Sequence, residues 1–152
     1  MPGTVADADP SSWSSTMSGM GETRQQIGAL GEDIAVDYLT TLGWRVCARN
    51  WRTRYGELDV IAREPNPSGL ADNLVIVEVK TRRDGAVYDD PVAAVTGDKL
   101  ARMAKLAWMW IAERREDDSL DYFDALRFDV ISIRLDGRRG APILRHHRGL
   151  VE

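Results

Sequence analysis

Apolar residues recur at helical spacing near the start of the chain. Ile27, Leu30, Ile34, Ala35, Tyr38, Leu39 and Leu42 form one stripe, which predicts a helix over residues 23–42 with Gly43 as its stop. The period then switches to two. Trp44, Val46 and Ala48 alternate with Arg45, Cys47 and Arg49, predicting a strand over 44–49; residues 50–55 read as a basic connection ending at the turn residue Gly56. A second strand is expected over 57–62, with Leu58-Asp59-Val60-Ile61 at its centre. After the Pro- and Gly-containing stretch 65–69, the segment Leu74-Val75-Ile76-Val77-Glu78-Val79-Lys80-Thr81 reads as a central strand, apolar on both faces at first. Residues 82–97 read mostly as loop, with a helical turn at 91–95. Leu100, Met103, Ala104, Ala107, Trp108 and Ile111 define the buried face of a helix over 98–115. Phe128, Val130, Ile131, Ile133 and Leu135 form a further strand, and Ile143-Leu144 a short edge piece. The order helix, three strands, helix, one or two strands implies an α/β sandwich with a central mixed sheet flanked by helices.

Residues 1–22 are rich in Ser, Gly, Asp and Thr and have no apolar period. They read as a disordered tail ahead of a single domain over 23–152, and Met17 and Met20 are alternative starts to Met1. No apolar run approaches the roughly 20 residues that span a membrane, and no basic patch leads into an apolar stretch, so neither a membrane anchor nor a secretory signal is expected. With Cys47 as its one cysteine the chain forms no internal disulfide; a cytoplasmic location fits.

The net charge of −4 argues against a general polyanion binder, but the charge is uneven. Residues 113–124 are strongly acidic. Basic residues gather at Arg45, Arg49, Arg52 and Arg54, at Lys80, Arg82 and Arg83, at Lys99, Arg102 and Lys105, and near the C-terminus. A local positive surface inside an acidic protein is one reading, scattered solvated arginines the other.

The unusual feature is charge inside the best strands. Asp59 interrupts one apolar run; Glu78 and Lys80 interrupt another and project to the same side. A buried charge costs several kcal/mol unless paired or metal-bound. If the two strands are neighbours, two carboxylates and one ammonium share a patch. Such a patch suits Mg²⁺, with the backbone carbonyl of Val79 as a further ligand and Glu32, at the rim of the first helix, reaching in directly or through water. The set suits phosphodiester hydrolysis, with Lys80 orienting the attacking water or offsetting developing charge. A plain salt bridge from Lys80 to Glu78 or Asp59 is the alternative.

Several motifs occur in order: Gly28-x-x-Gly31-Glu32-x-x-Ala35, Arg49-Asn50-Trp51-Arg52, Gly56-Glu57-Leu58-Asp59-Val60-Ile61, Val77-Glu78-Val79-Lys80-Thr81-Arg82, Val95-Thr96-x-x-Lys99 and Arg127-Phe128-Asp129-Val130. Over about residues 24–148 the chain resembles the YraN family, which is similar to the PD-(D/E)XK nuclease superfamily and in particular to archaeal Holliday-junction resolvases. The resemblance implies a restriction-endonuclease-like fold and a Mg²⁺- or Mn²⁺-dependent DNA endonuclease acting on branched or single-stranded DNA. It matches Glu32 to the superfamily's helix glutamate, Asp59 to its metal-binding aspartate, and Glu78 and Lys80 to its E-x-K element; Leu58 stands where a proline often precedes the aspartate. Resolvases of this fold cut two strands symmetrically, so a homodimer is one arrangement it brings in.

Arg52, Arg54, Arg82 and Arg83 flank the proposed cleft in sequence and are candidate phosphate contacts. Lys99 and Arg102 are weaker ones on a helix side, and Trp51 or Tyr55 are candidate base-stacking residues. Glu57 is a candidate supporting acid. His146 and His147 are assigned a bland C-terminal role, Cys47 a packing role, and Arg127 with Asp129 a structural pair. Two other functions stay open: a nucleic-acid-binding module that does not cut, and an interaction subunit presenting residues 113–124 and Trp110 to a partner.

Overall fold

The computed structural model describes residues 23–68, 70–83, 90–135 and 141–150, and the backbone of residues 4–7. Its elements are β1 (Thr4–Asp7), α1 (Arg24–Thr41), β2 (Arg45–Thr53), β3 (Gly56–Glu64), β4 (Asn73–Arg83), α2 (Gly97–Glu116), β5 (Leu126–Leu135) and β6 (Ile143–His147). The strands form one sheet in the order β1-β6-β5-β4-β3-β2. All neighbours pair antiparallel except β4 and β5, which run parallel and are joined through α2. The mixed sheet between two helices fits a restriction-endonuclease-like α/β sandwich. No helix among the described residues is long and apolar enough to cross a membrane.

The helix ends follow local chemistry. Thr23 caps α1 through a reciprocal pair with Gln26, and Gly43 adopts the left-handed backbone that ends it (φ 87°). Thr96 caps α2 by accepting the Lys99 amide, with Asp98 in the first turn and Arg114 and Arg115 in the last, as the helix dipole favours.

Alternation along β4 sorts the core. Val75 and Val77 pack beneath α1 with Leu30, Ile34 and Leu39; Leu74 and Ile76 pack beneath α2 with Met103, Leu106, Trp110 and Ile111. The α1 side continues across β5 through Ile131, Ile133 and Leu135. At the other end of β5 that side is polar: Asp129 and His146 are fully buried, joined at 2.8 Å, and Asp129 also takes two bonds of 2.9 Å from Arg127. Tyr38 Oη lies 3.0 Å from His146 Nδ1. Helix α1 is brought hard against the end of β4 by Gly31, where a Cβ would stand 1.8 Å from Thr81 Oγ1.

Several sequence expectations are corrected. The basic connection at 50–55 is mostly strand, because β2 stays paired with β3 through Thr53↔Gly56 and only Arg54 and Tyr55 turn. The phase of α2 is rotated, so that Trp110 is buried and Trp108 is 52% exposed. Trp110 therefore faces the core instead of a partner. Residues 143–144 extend to His147 and do not form the sheet edge, since Thr4–Asp7, expected within the tail, pairs outside them. The rest of the expected tail lies outside the described residues. His146 belongs to the buried network, the acid that completes it coming from the neighbouring strand.

Candidate active site

The regular pairing of β3 with β4 ends at Val60↔Val77. The next rung would place Asp59 opposite Glu78, but there the strands part. Leu58 packs under α2 while Val60 packs under α1, so the strict alternation of β3 breaks at Asp59. Opposite on β2, Asn50 has the left-handed backbone (φ 50°). The parting leaves the Val79 amide without a strand partner, and Asp59 Oδ2 accepts it at 2.9 Å. An acid in an apolar run thus sits where the sheet opens and its carboxylate replaces a missing carbonyl.

Glu78 and Lys80 lie on the α2 side of β4, in line with Leu74 and Ile76. Glu78 Oε2 is 2.6 Å from Lys99 Nζ, delivered by the first turn of α2, and 4.0 Å from Lys80 Nζ. Burial, a hydrogen bond with Glu78 and the Glu78 charge push Asp59 up to about 8. Burial also opposes the Glu78 charge, but the hydrogen bond from Asp59 and the ammonium groups of Lys99 and Lys80 hold that carboxyl below its usual range. At neutral pH the two acids share one proton, carried mainly by Asp59. Burial lowers Lys80, and the neighbouring Lys99 lowers it further.

Glu32 enters from α1. Its Oε1 accepts from Asn50 Nδ2 at 2.7 Å and Arg49 Nε at 3.2 Å, and Arg49 also reaches Asp33 at 2.6 Å. Burial raises Glu32, while Arg49 and Asn50 pull it back. Its charge acts on Asp59.

Residues 31–133 match the family described as "Uncharacterised protein family UPF0102". Three similar relatives bear the name "UPF0102 protein". The one from Mycobacterium sp. (strain JLS) is 47% identical over 129 residues, 85% of this chain and 87% of the relative. The one from Mycolicibacterium vanbaalenii is 47% identical over 130 residues, covering 86% and 97%. The one from Mycobacterium tuberculosis (strain ATCC 25177 / H37Ra) is 44% identical over 130 residues, covering 84% and 94%. The chain belongs to the UPF0102 family. This agrees with the YraN resemblance carried by the motifs.

In this UPF0102 chain Asp59, Glu78 and Lys80 come together at the strand opening. Glu32 stands beside them, its carboxylate occupied by Arg49 and Asn50. Among the described residues no group of three or more His, Cys, Asp and Glu side chains is arranged to hold a metal ion. The donor set that fits a cation is the Asp59–Glu78 pair: two half-buried carboxylates in contact need a positive charge between them, and a divalent ion can replace the shared proton. A two-carboxylate seat suits Mg²⁺ or Mn²⁺, hard ions that keep several waters. The backbone of Val79 meets the site through its amide.

The candidate phosphate contacts divide. Arg52 pairs with Glu57 at 3.0 Å on the exposed hairpin, which also turns Glu57 away from the site. Arg54 bonds the Tyr55 hydroxyl at 2.6 Å and lies over its ring. Trp51 packs against the α2-side core, while Tyr55 is exposed. Arg83 ends β4, exposed, and Arg82 lines a cleft beside Lys80. Lys99, read as a helix-side residue, belongs to the carboxylate pair. Arg49 and Asn50 were missed as partners of Glu32; the motif that contains them was the signal.

Proposed function

We propose that this UPF0102 protein is a Mg²⁺- or Mn²⁺-dependent endonuclease that hydrolyses phosphodiester bonds in DNA, of branched or single-stranded form. The observation that carries the reading is the half-buried Asp59–Glu78 pair with two lysine ammonium groups beside it, at the point where β3 and β4 part. Asp59 and Glu78 are the residues that would hold the ion. When bound, it supplies Lewis-acid polarisation of a phosphate oxygen and a water of lowered pKa.

The chain's own groups supply the rest. Lys99 fixes Glu78 by a 2.6 Å ion pair, so that carboxylate is preset on its rotamer. Lys80, with its ammonium destabilised by burial and by Lys99, orients the attacking water or offsets charge on the phosphoryl oxygens. Asn50 and Arg49 fix the Glu32 carboxylate at the helix side of the site.

The test is incubation of the purified protein with labelled single-stranded, duplex, flap and four-way DNA, in Mg²⁺, Mn²⁺ or EDTA, beside Asp59→Ala and Lys80→Ala. Metal-dependent cutting that both folded variants lose supports the reading. Normal cutting by folded Asp59→Ala refutes the site. No cutting on any substrate refutes the reaction and leaves a nucleic-acid-binding module, the second reading, which the basic side chains beside Lys80 favour.

A further inference from the structure

Two ammonium groups converge on one carboxylate. Glu78 Oε2 holds Lys99 Nζ at 2.6 Å, a charge-assisted hydrogen bond, and stands 4.0 Å from Lys80 Nζ. With one proton shared between Asp59 and Glu78, the pair offers one negative charge to two positive ones. The two lysines arrive differently. Lys80 belongs to the body of the sheet, where β5 places Ser132 beside it. Lys99 comes from outside the sheet, on the first turn of α2.

Two features make Lys99 the looser cation. Its side chain is 32% exposed, against 23% for Lys80 and 15% for Glu78, so its flexible stem has a route to water. It also projects from the end of α2 where the helix dipole is positive and opposes an ammonium. The bond to Glu78 offsets that cost. Yet Lys99 sits directly on an oxygen that a divalent ion would need, whereas Lys80, at 4.0 Å, does not. Replacing the shared proton by a divalent ion also raises the positive charge of a half-buried place that already holds two ammonium groups. Like charges a few ångström apart repel strongly where the dielectric is reduced.

We propose that Lys99 is the carboxylate pair's own counter-ion, and that a divalent ion binds by displacing its ammonium from Glu78. The proposal rests on the reading of Asp59 and Glu78 as a metal seat. Lys99 presets the Glu78 carboxylate and then gives way. The exchange favours ions of two charges over ions of one, because a monovalent ion brings no more charge than the ammonium it would displace.

Two measurements on the whole chain test this. The first is Mn²⁺ binding by isothermal titration calorimetry, with the wild type, Lys99→Met, Lys99→Arg, Lys105→Met and Asp59→Asn. Met keeps the stem of lysine without its charge. Lys105, further along the same helix, lies over the Tyr55 ring, so Lys105→Met makes the same charge change away from Glu78. Lys99→Met is expected to bind Mn²⁺ about tenfold tighter, as the release of one charged hydrogen bond implies. Lys99→Arg is expected to stay near the wild type, Lys105→Met to change less than about twofold, and Asp59→Asn to lose binding. The second measurement needs no variant: acetylation of lysine amines, read by peptide mass spectrometry, in EDTA and in saturating Mg²⁺. Lys99 is expected to react several-fold faster in Mg²⁺ and Lys105 at an unchanged rate. Unchanged or weaker Mn²⁺ binding by folded Lys99→Met, unchanged Lys99 acetylation in Mg²⁺, or no Mn²⁺ binding by either protein overturns the proposal. Cutting of DNA is scored separately. Tighter Mn²⁺ binding by Lys99→Met without cutting by the wild type keeps the counter-ion and removes the hydrolase; cutting, with unchanged Mn²⁺ affinity in Lys99→Met, does the reverse.

Discussion

Replacing Asp59 by Asn in metal-free protein is expected to change how stability depends on pH. In the folded chain Asp59 titrates near 8, against an ordinary 3.8, because it is buried against Glu78. A carboxyl whose folded pKa is raised binds more protons in the folded than in the unfolded state between those two values. Its contribution is fully present below about 3.8 and is lost as pH rises through about 8. Glu78, held below its usual range, titrates at lower pH and leaves the interval from 5 to 7 to Asp59. One extra proton over two pH units amounts to about 2.7 kcal/mol, or roughly 5–10 °C in Tm for a domain of this size.

Asn keeps the shape, accepts the Val79 amide and donates to Glu78 without titrating. The assay is urea or thermal unfolding in EDTA at pH 5, 6 and 7, for both proteins. Subtracting Asp59→Asn from wild type cancels the ionisable groups outside the site, and Glu78 and the lysines titrate outside the interval. The wild type is expected to lose about 2.7 kcal/mol relative to the variant across the interval, and saturating Mg²⁺ to remove most of that slope from the wild type alone. A flat difference curve in EDTA would refute the picture of two acids sharing a proton.

Gly31→Ala gains helix propensity but drives a Cβ into Thr81, so a net loss of about 1–3 kcal/mol is expected by denaturant unfolding, partly restored by Thr81→Ala. Trp110→Ala is expected to cost about 3–5 kcal/mol, and Trp108→Ala less than about 0.5, which checks the helix phase directly. Asp129→Ala leaves Arg127 and His146 without their buried partner; a loss of about 3–5 kcal/mol in unfolding free energy is expected, with single-strand binding unchanged at temperatures where the variant is folded.

Both helices and the strands β3 and β4 were legible because strong periods wrote them: a 3.6-residue stripe from Ile27 to Leu42, and apolar runs around Asp59 and before Glu78. The second half of β2 was not. Asn50 and Arg52 carry no apolar alternation, and a register shift at Val46/Ala48 disturbs what there is; the strand exists because β3 supplies its backbone partners. The phase of α2 was missed because Trp108 and Trp110 both lie beside the Met103–Ala107–Ile111 line, and periodicity alone did not choose between them. Of the candidate site, Asp59, Glu78 and Lys80 stood out as charges in apolar strands. Lys99 and the Asn50 amide did not, because each arrives from another element through tertiary packing, as does the meeting of His146 with Asp129.

The strand opening links fold and chemistry at one residue. Ending the β3–β4 ladder at Val60↔Val77 frees a backbone amide at Val79, and an unmet amide in this half-buried place costs about 1–3 kcal/mol. Asp59 removes that cost with the same carboxylate that faces Glu78. Truncation to Ala therefore removes two things at once, a structural acceptor and an acid, and lost activity in that variant has two causes. Asn separates them: it keeps the acceptor and discards the negative charge that would hold a cation. A protein inactive as Asp59→Asn yet at least as stable as the wild type at pH 7 would place the acid's role in chemistry. One in which both Ala and Asn destabilise equally would place it in the fold.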